Sequence, residues 1–257
     1  MRVVLIQSKL EWEQPAVNRA GFAEKISKLS TKADLIVLPE MCTTGFSMNA
    51  EALAESMGGL TTSWFLEQAQ LSGAVVTGSF ICREGNSFFN RLIWARPDGK
   101  LDCYDKRHLF TLAGEHLTYT AGQQIPMIEW KGWKIRPLIC YDLRFPVWSR
   151  QPNLKEEQYD LLLYVANWPN RRSHHWKSLL VARAIENQCY TVGLNIVGED
   201  GNGHQYSGDS AVIDYAGQVL AQGSWEEQVL SVELDLAKQA AYRMQFPFLE
   251  DADIFSV

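Results

Sequence analysis

Asp34-Leu35-Ile36-Val37-Leu38-Pro39-Glu40 is an unbroken apolar run that ends in a proline and a carboxylate. A half-exposed strand alternates apolar with polar residues, whereas a strand apolar at every position is covered on both faces. Asp160-Leu161-Leu162-Leu163-Tyr164-Val165-Ala166-Asn167-Trp168 repeats the pattern late in the chain. Outward from these, further strands are predicted over 3–7, 35–39, 74–81, 92–95, 127–130, 135–140, 161–166, 191–196, 211–214 and 229–234. Helices are predicted over 15–32, 61–71 and 173–188. In the last, Trp176, Leu180 and Ala184 recur at four-residue spacing, Leu179 and Ile185 broaden that face, and Ser173 is the candidate cap. Residues 90–101, around Pro97-Asp98-Gly99, read as a hairpin. Buried strands, hairpins and interleaved helices favour a layered α/β protein whose sheets pack together and carry helices outside. With no repeat and no linker, 1–257 is expected to be one domain.

Composition narrows the function. The 257 residues are 46% hydrophobic and 21% charged, with a formal net charge of -6, which disfavours a nucleic-acid surface. Arg171-Arg172 is too short for a polybasic arm. The N-terminal apolar run has the length of a strand and no small-residue cleavage site, and no stretch approaches a membrane span. The five cysteines, Cys42, Cys82, Cys103, Cys140 and Cys189, form no C-x-x-C pair and no zinc set. Reduced thiols in a cytoplasmic protein, with no metal, are the expectation.

Leu138-Ile139-Cys140-Tyr141-Asp142-Leu143-Arg144-Phe145-Pro146 delivers one cysteine to an abrupt polar turn. Alone, Cys140 is either a small buried hydrophobe or a nucleophile. A thiol with a pKa near 8.5 is mostly protonated at neutral pH, so a nucleophilic Cys140 needs a base or a cation. Glu40, at the end of its own strand, is a candidate base. Lys106, in Tyr104-Asp105-Lys106-Arg107-His108-Leu109-Phe110, would steady the thiolate and the oxyanion, with the Tyr141 N–H as a second oxyanion donor. Pro39-Glu40 can equally be a turn signal and Lys106 a surface lysine.

On these three motifs together the chain resembles the carbon-nitrogen hydrolase (nitrilase) superfamily, whose members carry a Glu-Lys-Cys triad in this order. The resemblance extends through His175, Trp176, Arg183, Ala184, Glu186 and Asn187, and through the stretch 208–220, where Tyr215 stands in place of a more usual proline. It runs from Val3 to about Leu236. It implies a four-layer α-β-β-α sandwich, homodimers, Glu115 as a second glutamate supporting Lys106, and a reaction without metal or organic cofactor.

Within the superfamily the motifs are most similar to bacterial omega-amidases. That implies hydrolysis of the side-chain amide of 2-oxoglutaramate or 2-oxosuccinamate, giving the 2-oxo dicarboxylic acid and ammonia through a Cys thioester. Such substrates carry a far carboxylate, and the loop from Asn167 to Arg172, with Arg171 and Arg172, is the candidate wall for it. Phe46, Phe110 and Trp168 are candidate apolar walls, with core packing an equal reading for all three. For the arginines a solvated loop is the bland reading. Other readings are another small-amide or N-carbamoyl hydrolase of the same superfamily, a silent binding protein on this fold, or a Cys-His pair of Cys140 with His108, His174 or His175. Gly201-Asn202-Gly203 begins like a phosphate loop but lacks the third glycine, Tyr206 standing there, and a turn explains it.

Overall fold

The computed structural model describes residues 1–151 and 158–253. β1 (Arg2–Gln7), β2 (Leu35–Val37), β3 (Val75–Glu84), β4 (Ser87–Ala95), β5 (Leu101–Asp105) and β14 (Gln228–Glu233) form a six-stranded sheet in the order 14-1-2-3-4-5. β6 (Ile128–Trp130), β7 (Trp133–Ile139), β8 (Leu161–Val165), β9 (Tyr190–Leu194), β12 (Ala211–Ile213) and β13 (Val219–Gln222) form a second, in the order 13-12-9-8-7-6. Each sheet has a parallel centre, β1-β2-β3 in one and β7-β8-β9 in the other, flanked by antiparallel strands. Parallel neighbours need a crossover. The helices Pro15–Ser27, Leu60–Ser72 and Ser173–Asn187 supply three of them.

The all-apolar runs are two-sided, as their composition requires. Val3, Leu5, Leu35, Val37 and Val75 face a core shared with Ile135, Leu138 and Leu161 of the other sheet. Their neighbours Val4, Ile6, Ile36, Leu38 and Val76 turn the other way, onto Phe22 and Ile26 of one helix and Phe65 and Ala69 of the next. Each such side chain contributes about 1.5–3 kcal/mol by leaving water. On the second sheet, Trp176, Leu180 and Ala184 are fully buried. They lie over Gly193 of β9, where a Cβ would come within 2.5 Å of Leu180 Cδ1 and 2.8 Å of Trp176 Cζ2. Glycine there sets the close approach of helix to sheet. The result is two six-stranded sheets flanked by helices.

Several boundaries differ from the sequence-based expectation. Ser173 caps nothing: the helix follows directly on a 3-10 turn at Asn170–Arg172, and the Ser173 hydroxyl donates to the Asp209 carboxylate at 2.8 Å. Ile185 is 52% exposed and covers the Gly217 turn rather than extending the buried face. The first helix stops at Ser27, where the Lys28 N–H makes the last i to i−4 bond, to Glu24 O, and the Leu29 N–H tightens onto Ile26 O. β5, β13, the helix Leu236–Gln245 and the hairpin of β10 (Val197–Glu199) with β11 (Gln205–Ser207) were not expected from periodicity. That hairpin holds Gly201-Asn202-Gly203, which is a turn. Among the described residues no helix is long and apolar enough to cross a membrane.

Candidate active site

Strand ends build the site. The β2 ladder closes at Val37, and Pro39, with no N–H, ends the extended run and leaves Glu40 in a buried turn. Glu40 Oε1 accepts from Lys106 Nζ at 2.9 Å and from Asn90 Nδ2 at 2.8 Å. Its Oε2 accepts from the Asn167 backbone N–H at 2.8 Å, and Asn167 Nδ2 donates to the Glu40 carbonyl at 2.6 Å. Asn90 is fixed in turn by the Ser79 hydroxyl, which donates to its Oδ1 at 2.7 Å.

Lys106 follows β5 and is fully buried between two carboxylates, Glu40 and Glu115, with Nζ 2.9 and 3.0 Å from the two Glu115 oxygens. Burial alone would pull its pKa down, but Glu115 and then Glu40 hold it above the ordinary lysine range. Glu115 is also buried. Its pKa is raised by that burial, against the pull of Lys106, and it accepts a further bond from the Phe110 N–H at 2.5 Å.

β7 ends at Ile139, and Cys140 takes φ +41°, a left-handed conformation that costs a non-glycine residue about 1–2 kcal/mol. Asp142 holds this turn. Its buried carboxylate accepts from the Ile139 N–H at 3.0 Å, the Tyr104 hydroxyl at 2.8 Å, and the His108 N–H at 3.0 Å. One buried group thereby ties the cysteine's turn to the segment that carries Lys106. The Tyr141 N–H is the second amide of the 3-10 turn Cys140–Arg144, a position whose donor has no partner within the turn. Burial and then the Glu40 carboxylate push the Cys140 thiol well above its usual range, outweighing Lys106. The resting group is a neutral thiol beside a carboxylate, so its chemistry needs a proton acceptor rather than a standing thiolate.

Cys140, Glu40 and Lys106 open onto a cavity of about 540 Å³. Phe46, Phe110, Tyr141, Trp168, Arg171 and Arg172 all line it, so the sequence-predicted walls converge on one space. The Phe46 ring centroid is 5.1 Å from Lys106 Nζ. Two expectations change. Asn167, in the loop assigned to a far carboxylate, spends its backbone N–H and its Nδ2 on Glu40. The Cys-His reading loses its partners: His108 Nδ1 lies 2.8 Å from Asp142 and its ring stacks on Phe145, while His175 faces Arg144. Neither these two nor His174 lines the cavity. Sequence reasoning missed Asn90, Asp142 and Arg144. Asn90 left one signal, an amide amid the apolar residues of β4. Among the described residues no group of three or more His, Cys, Asp or Glu side chains is placed to hold a metal ion.

Comparison with known proteins adds relatives to this geometry. The carbon-nitrogen hydrolase family profile matches residues 5–244. Omega-amidase YafV of Escherichia coli (strain K12) is 44% identical over 256 residues, covering 99% of this chain and 98% of its own. The 2-oxoglutaramate amidase of Bacillus subtilis (strain 168) is 38% identical over 249 residues, covering 96% of this chain and 95% of its own. Among solved structures, XC1258 from Xanthomonas campestris, a CN-hydrolase superfamily protein with an arsenic adduct in its active site, superposes with a TM-score of 0.96. It is 46% identical and covers 100% of this chain, with 98% of its own chain covered.

Proposed function

This chain belongs to the carbon-nitrogen hydrolase family, and from that premise we propose that it is an omega-amidase acting on short 2-oxo-acid amides such as 2-oxoglutaramate and 2-oxosuccinamate. The observation that carries this reading is the buried cluster of Glu40, Lys106, Glu115 and Cys140 on one cavity, in a chain so similar to the two amidases.

In this proposal Glu40 is the general base. Its Oε1 is occupied by two donors and its Oε2 by the Asn167 N–H, and the Cys140 thiol hydrogen-bonds to the same carboxylate. The Cys140 proton passes to Glu40 as Sγ bonds to the amide carbon. Lys106 Nζ and the Tyr141 N–H hold the resulting oxyanion, with Glu115 keeping the ammonium in place. Collapse breaks the carbon–nitrogen bond, Glu40 returns the proton to the departing nitrogen, and ammonia leaves a thioester on Cys140. A water that gives its proton to Glu40 then adds to the thioester. Collapse expels the sulfur, which takes the proton back, and the 2-oxo dicarboxylic acid is released.

Ammonia release from a panel of 2-oxoglutaramate, 2-oxosuccinamate, an N-carbamoyl amino acid and a simple nitrile tests the assignment. Turnover of both oxo-amides well above the other two is expected. Good turnover of the N-carbamoyl compound with neither oxo-amide consumed would sink the substrate claim. The proposal also takes 1–257 as one domain, supported by a core cluster shared by both sheets, and takes the protein as cytoplasmic, supported by five free cysteines. It takes the protein as a homodimer, for which the exposed apolar Val147, Ile185 and Phe248 offer surface. Sedimentation velocity showing only monomer would remove that last part.

A further inference from the structure

Three guanidinium groups, Arg144, Arg171 and Arg172, line the Cys140 cavity, and none has a carboxylate partner among the described residues. The nearby acids are already engaged. Glu13 accepts from the Ser47 hydroxyl at 2.5 Å and Asn49 Nδ2 at 3.4 Å. Asp200 accepts from the Tyr206 hydroxyl at 2.8 Å and from the Asn202 and His204 N–H groups at 2.8 and 2.9 Å. Those bonds leave both acids charged but turned to other partners, so no carboxylate is paired with the three guanidinium groups and they can take an anionic occupant.

The three arginines are not equivalent. Arg171 is exposed, and Arg144 lies over the Trp168 ring at 4.7 Å with one nitrogen 3.1 Å from His175 Nδ1. Arg172 is partly buried, its guanidinium 5.1 Å from the Phe110 ring centroid and its carbonyl accepting from Trp168 Nε1 at 2.8 Å. Phe110 in turn is 4.9 Å from the ring of Tyr141, the residue next to Cys140. This chain of contacts sets a fixed cation one aromatic ring away from the residue that follows the nucleophile. Burial, and then the Arg171 charge, lower the Arg172 pKa, so an incoming anion relieves a standing penalty.

We propose that Arg172 is the specificity-determining residue of this site, its guanidinium pairing with the carboxylate of a 2-oxo-acid amide whose far amide carbon lies at Cys140 Sγ. The assignment rests on the omega-amidase reading and deepens it. A guanidinium suits a carboxylate because two parallel N–H groups match its two oxygens, and it discriminates against uncharged amides of the same length.

The test compares wild type, Arg172→Met, which keeps an apolar stem over Phe110, and Arg172→Lys, which keeps the charge. The readouts are kinetics on 2-oxoglutaramate and on butyramide, and competitive inhibition by glutarate, an unreactive dicarboxylate. Arg172→Met is expected to raise KM for 2-oxoglutaramate about ten- to a hundredfold with a much smaller fall in kcat, as loss of a charge-assisted hydrogen bond predicts. Glutarate inhibition should weaken by a similar factor, Arg172→Lys should recover part of both, and kcat/KM on butyramide should fall far less. An equal loss on the oxo-amide and on butyramide, or an unchanged KM, overturns the assignment. Should wild type turn over neither oxo-amide, the omega-amidase reading fails by itself, and calorimetric glutarate binding still decides the arginine: binding lost in Arg172→Met upholds it, and equal binding overturns it. Should Arg172→Met not fold, Arg172→Gln gives the same readouts.

Discussion

Glu40→Gln is expected to lower kcat/KM on 2-oxoglutaramate by about a thousandfold or more, the upper range for loss of a positioned general base. The Cys140 thiol is held protonated by burial and by the neighbouring carboxylate, so no thiolate reserve can stand in for the missing acceptor. The substitution is nearly isosteric, with one structural cost. An amide in this pocket can still accept from Lys106 and Asn90, but its NH₂ would then face the Asn167 N–H, donor against donor. That clash costs about 1–3 kcal/mol of stability. Glu40→Asp separates the effects, because it keeps a proton acceptor on a shorter arm. Steady-state ammonia release should place Glu40→Asp well above Glu40→Gln. Equal activity in the two variants, or near-wild-type activity in Glu40→Gln, would remove Glu40 from the base role.

Lys106→Met carries the second large effect, and it falls on both activity and stability. Lys106 is the shared cation of two carboxylates that have essentially no solvent contact, Glu40 and Glu115. Removing it leaves two buried acids facing one another, and breaking such a pair costs about 3–5 kcal/mol. One acid must take up a proton to survive burial. Loss of an oxyanion donor is expected to lower kcat by a further factor of about a hundred to a thousand. Pairing Lys106→Met with Glu115→Gln discharges one acid, so denaturant unfolding should show part of the stability restored while kinetics show no recovery. Activity that returns along with stability would mean that Lys106 acts only as a structural counter-ion.

Two members of the buried cluster were legible in the sequence because they stand where a regular pattern stops abruptly. Glu40 and Cys140 end apolar strands, and such ends expose a side chain on a rigid support. Lys106 was legible only through its motif, since β5 is short, charged and partly exposed and gives no clear period of its own. β13 was hidden for the same reason, being a four-residue edge strand that buries little. The helix Leu236–Gln245 carries Leu236, Ala240 and Met244 at four-residue spacing and is capped by Asp235, which accepts from the Lys238 N–H, yet it buries only Gln239, and sequence reasoning missed its short, alanine-rich stripe. What holds the site together left the faintest trace. Asn90, Asn167 and Asp142 act through hydrogen bonds between segments far apart in the chain, and spacing carries no record of which buried amide meets which carboxylate. The left-handed backbone of Cys140 is equally silent, because it is imposed by the Asp142 contacts rather than by a glycine.

In the proposed reaction Cys140 forms the covalent intermediate, which peptide-level mass spectrometry of enzyme acid-quenched during turnover of 2-oxoglutaramate would detect. An acyl mass is expected on the peptide that contains Cys140 in wild type and none in Cys140→Ala, with the four other thiols unmodified. An adduct that persists in Cys140→Ala, or full turnover by that variant, would contradict that role.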